Sequence, residues 1–142
     1  MSHDRPDITE ILATLKEFAS GVASRTQGSE RYDALCAAFL LDVVKREMEC
    51  VADQNAGQSQ RLTEITGQSG ELEELYAAFC KSVRGGRLDE QWDEVFDFAL
   101  QQVSDKVAVT KPDYLLPEHR SKVVGTTKVV GTTKAVDGTA GN

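Results

Sequence analysis

The chain is poor in the side chains that carry chemistry. Of its 142 residues only two are histidines, His3 and His119, and both lie outside the helical stretches described below. That removes Ser-His-Asp and Cys-His arrangements, in which a base stands beside the nucleophile. Three cysteines, Cys36, Cys50 and Cys80, form no CxxC pair, and an odd number at wide spacing is a poor disulfide framework. Cys36 and Cys80 sit in apolar helical stretches and read as small hydrophobes. There is no Gly-rich phosphate loop, and no Glu-x-x-His pair of the kind that holds two metals inside a helical bundle. The expectation is a protein that is not an enzyme and holds no cofactor or metal. No apolar run approaches the ~18–20 residues that span a bilayer. The opening residues, Met1-Ser2-His3-Asp4-Arg5-Pro6, lack the basic and apolar regions of a signal peptide, so a cytoplasmic location of bacterial type is expected.

Charge is present but unevenly spread. The net charge of the chain is −7. From Pro117 onward Glu118 and Asp137 stand against Arg120, Lys122, Lys128 and Lys134, which makes that segment +2 and leaves the body at −9. A body so acidic repels phosphate backbones and anionic lipid, so neither nucleic acid nor a membrane surface is an expected partner.

What the sequence does contain is amphipathic helix. Ile8, Ile11, Leu12, Leu15, Phe18, Ala19 and Val22 form a single stripe at helical spacing. Asp7 is placed to cap it, and Glu10 completes a capping box. A second helix is expected from Glu30 to Asp53, with Tyr32, Leu35, Cys36, Phe39, Leu40, Val43, Met48 and Val51 on its stripe. Ala37, Ala38, Leu41 and Val44 widen that stripe, which suggests a central element. Residues Gln54 to Gly70 are rich in Gln, Ser, Thr and Gly and read as a loop, long enough for a crossover, in which Leu62 and Ile65 anchor one helical turn. Ser69 then caps a third helix carrying Leu72, Leu75, Tyr76, Phe79 and Val83. Glu71, Glu73 and Glu74 crowd its first turn and Lys81 and Arg84 its last, in keeping with the helix dipole. Gly85-Gly86 ends it. A fourth helix follows Leu88-Asp89, with Trp92, Val95, Phe96, Ala99, Leu100, Val103 and Val107 on its inner face, and stops at Lys111-Pro112. Phe98 lies off that face and marks an exposed patch or a second packing surface.

The fold class expected is all-α: one bundle of four main helices over residues 4–116, followed by a disordered tail over 117–142. The tail repeats KVVGTT at 122–127 and 128–133 and degenerates to KAVDGT at 134–139. Local duplication explains it; addition of a strand to a partner's sheet edge is the alternative, since Val and Thr favour strands.

Candidate chemistry is thin. The carboxylate pairs Glu73-Glu74, Asp89-Glu90 and Asp93-Glu94 fall at helix starts or on solvated faces, whereas acid–base catalysis needs a pair in a dry cleft. Arg84, Gly85, Gly86 and Arg87 form one compact basic site that could approach a phosphate, although a helix C-terminus followed by a turn accounts for the same residues.

Three segments together resemble a known family. They are Asp4-Arg5-Pro6 leading into the first helix, the Ala37-Ala38 to Arg46-Glu47 stretch of the second, and a run from Leu75 through Arg84-Gly85-Gly86-Arg87-Leu88-Asp89 to Lys106-Val107-Ala108-Val109 and on to Pro112 and Tyr114. Their order and spacing over residues 4–116 are similar to the DUF6285 family of small bacterial proteins. Two segments depart from the family's pattern. Phe39 stands where Asn is expected, and Thr110-Lys111-Pro112-Asp113-Tyr114 stands where Asp-Asn-Pro-Arg-Tyr is usual. The resemblance implies an accessory subunit, without catalytic residues of its own, that supports an aminoglycoside-phosphotransferase-like kinase and an acyl-CoA dehydrogenase in a system acting on hydroxyacyl-CoA thioesters, as in levulinic acid catabolism. Arg5, Arg84, Arg87, Lys106 and Tyr114 are the expected partner contacts. A stand-alone helical module for an acyl-CoA ligand and a homo-oligomeric scaffold are the competing expectations.

Overall fold

The computed structural model describes residues 5–120, 122 and 123. Every regular element among them is helical: α1 (Ile8–Arg25), α2 (Gly28–Thr66), α3 (Leu72–Arg84), α4 (Trp92–Thr110) and the short α5 (Pro117–Arg120), with 3-10 turns at Asp89–Gln91 and Pro112–Tyr114. The expected all-α bundle of four main helices is what forms.

Its spine is α2, 39 residues long and therefore about 58 Å from end to end. A helix ending at Asp53 and a loop from Gln54 were expected. Instead α2 runs without a break to Thr66 and stops at Gly67, whose left-handed φ of 67° places its N–H on the Thr63 carbonyl. Tertiary packing overrides the weak local propensity of the Gln/Ser/Gly stretch. Gln54, Gln58, Leu62 and Ile65 follow one another at helical spacing, and Leu62 is 0% exposed. The crossover loop therefore does not exist; a short link joins α2 to α3.

The two halves of α2 serve different neighbours. Its C-terminal half packs with α3 and α4 around Leu62, Leu75 and Phe98, supported by Ile65, Leu72, Tyr76 and Phe79. Phe98 receives the edge of Phe79, with ring centroids 5.2 Å apart, and a tilted contact from Tyr76. The N-terminal half pairs with α1. That contact is built on alanines: Ala19 and Ala23 of α1 and Ala34 and Ala38 of α2 are the buried residues. Ion pairing of Lys16 with Asp42 at 2.8 Å and donation from Arg31 Nη1 to the Ala23 carbonyl at 2.8 Å hold the pair in register. The expected α1 stripe forms, but Ile8, Ile11, Leu15 and Phe18 are exposed along it.

Local signals hold with two exceptions. Asp7 and Glu10 make both bonds of the capping box. Gly85-Gly86 ends α3 in a Schellman motif, with Arg87 N–H on the Ser82 carbonyl and Gly86 N–H on that of Val83. The cap of α3 is Glu71, not Ser69; the Glu71 N–H bonds the Glu74 carboxylate at 3.2 Å. The larger correction concerns α4, which is turned relative to expectation. Phe98, expected to mark an exposed patch or a second packing surface, is 1% exposed and does the latter, whereas Trp92 at 58%, Phe96 at 55% and Val103 at 60% face outward. Both faces of α4 are apolar, and Phe98 wins the core because Tyr76 and Phe79 supply its ring partners.

The first residues of the segment expected as a tail form α5, and Val123 is buried against Ala108 and Leu115. The KVVGTT-type repeats beyond Val123 lie outside the described residues, as does His3. No helix among the described residues is long and apolar enough to cross a membrane.

Candidate functional site

Polar residues collect between α2 and α4 in a groove of about 460 Å³. The α2 wall presents Val43, Glu47, Val51, Gln54, Asn55 and Gln58, which fall on one face by helical spacing. The α4 wall presents Gln102, Val103, Asp105, Lys106, Val109 and Thr110, and Tyr76 of α3 bridges the two. Its Oη lies 2.8 Å from Gln58 Oε1 and 2.5 Å from Gln102 Oε1. The phenol donates, and its single proton is shared between the two amide oxygens. Burial, the nearby Asp105 carboxylate and Cys80 all push the Tyr76 pKa above its ordinary value, which keeps the hydroxyl a donor throughout the physiological range.

Asp105 is buried and accepts from Gln101 Nε2 at 2.8 Å. Gln54 is buried as well, and its Nε2 has no partner, an arrangement that costs stability unless something supplies an acceptor. Cys50, one turn before Gln54, is buried; loss of solvation and the carboxylates of Glu49, Asp105 and Asp53 raise its pKa against the pull of Arg46. A thiol so placed is inert. Arg46 crosses from α2 and donates through Nε to the Val109 carbonyl at 2.6 Å, capping the C-terminal end of α4 where carbonyls have no helical partner.

Beyond that cap the groove ends in a stack. Lys111 Nζ stands 5.4 Å from the Phe39 ring centroid and 5.5 Å from that of Tyr114. Phe39 of α2 and Lys111, just past the end of α4, are thus joined by a cation–π interaction.

The five expected contact residues are not one cluster. Lys106 lines the groove, and Tyr114, 77% exposed, stands at its end. Arg84 and Arg87 lie at the α3–α4 turn, beside the start of α4; Lys106 is 14 residues beyond Trp92, about 21 Å along the helix. Arg87 Nη2 donates to Ser82 Oγ at 3.1 Å, which serves the turn. Arg5 precedes α1 and pairs with Glu10 at 3.5 Å on the surface. No group of three or more His, Cys, Asp or Glu residues suited to a metal occurs among the described residues.

The family model described as Domain of unknown function (DUF6285) matches residues 24–114, well over half of the chain. The protein belongs to the DUF6285 family. The match contains every residue of the α2–α4 groove and both members of the Phe39–Lys111 contact, while α1 falls outside it except for its last two residues. No curated protein and no solved structure matches the chain.

Gln54, Tyr76, Asp105, Arg46 and Lys111 were not singled out from the sequence. Gln54 sat in the apparent loop, and Tyr76 looked like a core ring. The available signal was periodicity. Read as one helix, residues 43–65 place Gln54 and Gln58 on the same face as Val43 and Leu62.

Proposed function

We propose that this DUF6285 member is a non-catalytic accessory subunit that docks on a phosphotransferase-like kinase and supports its action on hydroxyacyl-CoA thioesters, with an acyl-CoA dehydrogenase in the same system. The observation that carries the docking part is the outward stripe of α4. Trp92, Phe96, Ala99 and Val103 recur at helical spacing, three of them large, apolar and more than half exposed, and Val103 also forms part of the groove wall. Aromatic anchors beside a polar cleft are the features that dominate protein–protein binding energy. Lys106, on the same wall, and the exposed Tyr114 extend that surface with polar contacts. The kinase identity, the substrate class and the dehydrogenase rest on the family resemblance.

Co-expression with a neighbouring phosphotransferase-like protein, followed by co-purification and an assay of ATP-dependent turnover of a hydroxyacyl-CoA, tests the reading. A complex whose turnover requires this chain, and which Trp92→Ala with Phe96→Ala weakens about a hundredfold, supports it. Kinase turnover that is the same with and without the chain removes it and leaves the stand-alone acyl-CoA-binding module, which would show stabilisation by acyl-CoA alone.

A further inference from the structure

The opposite end of the molecule is a pair of helices, α1 and the N-terminal half of α2. One face of the α1–α2 pair is polar, with Lys16, Glu17, Asp42 and Lys45 about the ion pair. The other is an open apolar groove of about 600 Å³, in which Leu15 and Leu40 stand along the walls over a floor of Ala34 and Ala37. Phe18, at 66% exposed, projects from the same face, and Leu40 is 58% exposed. Helices of a soluble domain bury such a face against a second layer, and none of the other described elements lies on it.

We infer that the missing layer is the same face of a second copy, giving an antiparallel twofold dimer closed by a bundle of two α1–α2 pairs. Three features favour a second copy over an unlike partner. The face carries both a projecting ring, Phe18, and an alanine-floored hollow, so it is complementary to itself, as an isologous interface must be. Its dimensions fit. Two helices of about 18 residues cover roughly 27 Å by 20 Å, so the pair buries about 1,000 Å² in total, the lower bound of a biological interface and the size of a weak, reversible dimer. Charge sets the orientation. Glu30 and Asp33 rim only the end of the groove nearest the α1–α2 link, and an antiparallel arrangement separates them from their symmetry mates, whereas a parallel one would set four carboxylates together. The proposal is independent of the kinase reading, because the α4 stripe takes no part in it.

Sedimentation velocity of the full chain alone, from low micromolar to several hundred micromolar, is the test. The expected result is a concentration-dependent species of twice the 15.5 kDa chain mass. Phe18→Glu with Leu40→Glu is expected to raise the dissociation constant at least about a hundredfold with an unchanged helical circular dichroism signal, since both side chains are already exposed in the single chain. Leu15→Ala with Leu40→Ala gives a milder shift in the same direction, and Trp92→Ala with Phe96→Ala gives none. A wild-type chain that stays monomeric at every concentration overturns the inference. So does a dimer that ignores the α1–α2 substitutions or yields to those on α4.

Discussion

Where α2 meets α3 and α4, the large side chains turn inward: Leu62, Leu75 and Phe98 are sealed and Tyr76 and Phe79 pack around them. Where α2 meets α1, alanines make the contact and the large side chains, Leu15, Phe18 and Leu40, turn outward. The same helix therefore takes part in a finished core at one end and an unfinished layer at the other. Apolar periodicity alone does not distinguish them, because a stripe says that a face will be buried and not by what. Stability of the single chain should reside in the C-terminal half, and affinity for partners in the surfaces left over.

Substituting matched rings at the two ends should break the comparison most visibly. Phe98→Ala removes a sealed ring and is expected to cost about 3–5 kcal/mol. Phe18→Ala, measured by urea unfolding at concentrations where the chain is monomeric, should cost less than about 1 kcal/mol. Equal losses would mean that α1 is as well anchored as α4.

Next in size is the hydroxyl between the two glutamines. Tyr76→Phe leaves Gln58 and Gln102 short of a partner and should cost about 1–2 kcal/mol. The same variant sharpens the pH dependence. The folded pKa of Tyr76 lies above its unfolded value near 10, so the folded chain holds the proton more tightly. The contribution is complete below pH 10 and is lost as pH rises through the folded pKa. Urea titrations at rising alkaline pH should show wild type losing stability faster than Tyr76→Phe.

A smaller effect is expected at the arginine caps. Arg46→Met frees the Val109 carbonyl and removes a half-buried side chain, and should cost about 1 kcal/mol, while Arg31→Met removes an exposed side chain and should cost less than half of that. Thermal unfolding of the two variants ranks them; the reverse order would place the tighter junction at α1. Smallest of all is a difference in reactivity without a change in stability. Cys80 is exposed and should react with a thiol reagent in the native chain, whereas Cys50 is buried with a raised pKa and should react only on unfolding.

Much of the fold was legible because local signals are strong here: the Asp7–Glu10 box, the Gly85-Gly86 stop, and the stripes of α1 and α3. Two elements were not. The C-terminal third of α2 hides its periodicity behind two polar residues in inward positions: Gln58, which accepts from Tyr76, and Gln54, whose buried Nε2 is left without a partner. On α4, Trp92 and Phe98 head two competing apolar faces, and the choice between them is made by rings on α3, which are remote in sequence. The groove was illegible for the same reason. It is assembled from three helices, and its polar members look like loop or surface residues until those helices are brought together. Of the contacts expected from the resemblance, Lys106 lines the groove and Tyr114 stands at its end, whereas Arg5, Arg84 and Arg87 sit elsewhere on the molecule.

Hydrogen exchange resolved by segment tests the two-plan account most directly. The account predicts that amides of α3 and of α4 from Phe98 onward exchange slowest, through global unfolding, at every protein concentration. Amides of α1 from Ile11 to Val22 should exchange faster in dilute solution and gain protection as concentration rises and the second layer forms. Amides of α1 as slow as those of α3 in dilute solution, with no dependence on concentration, would contradict it.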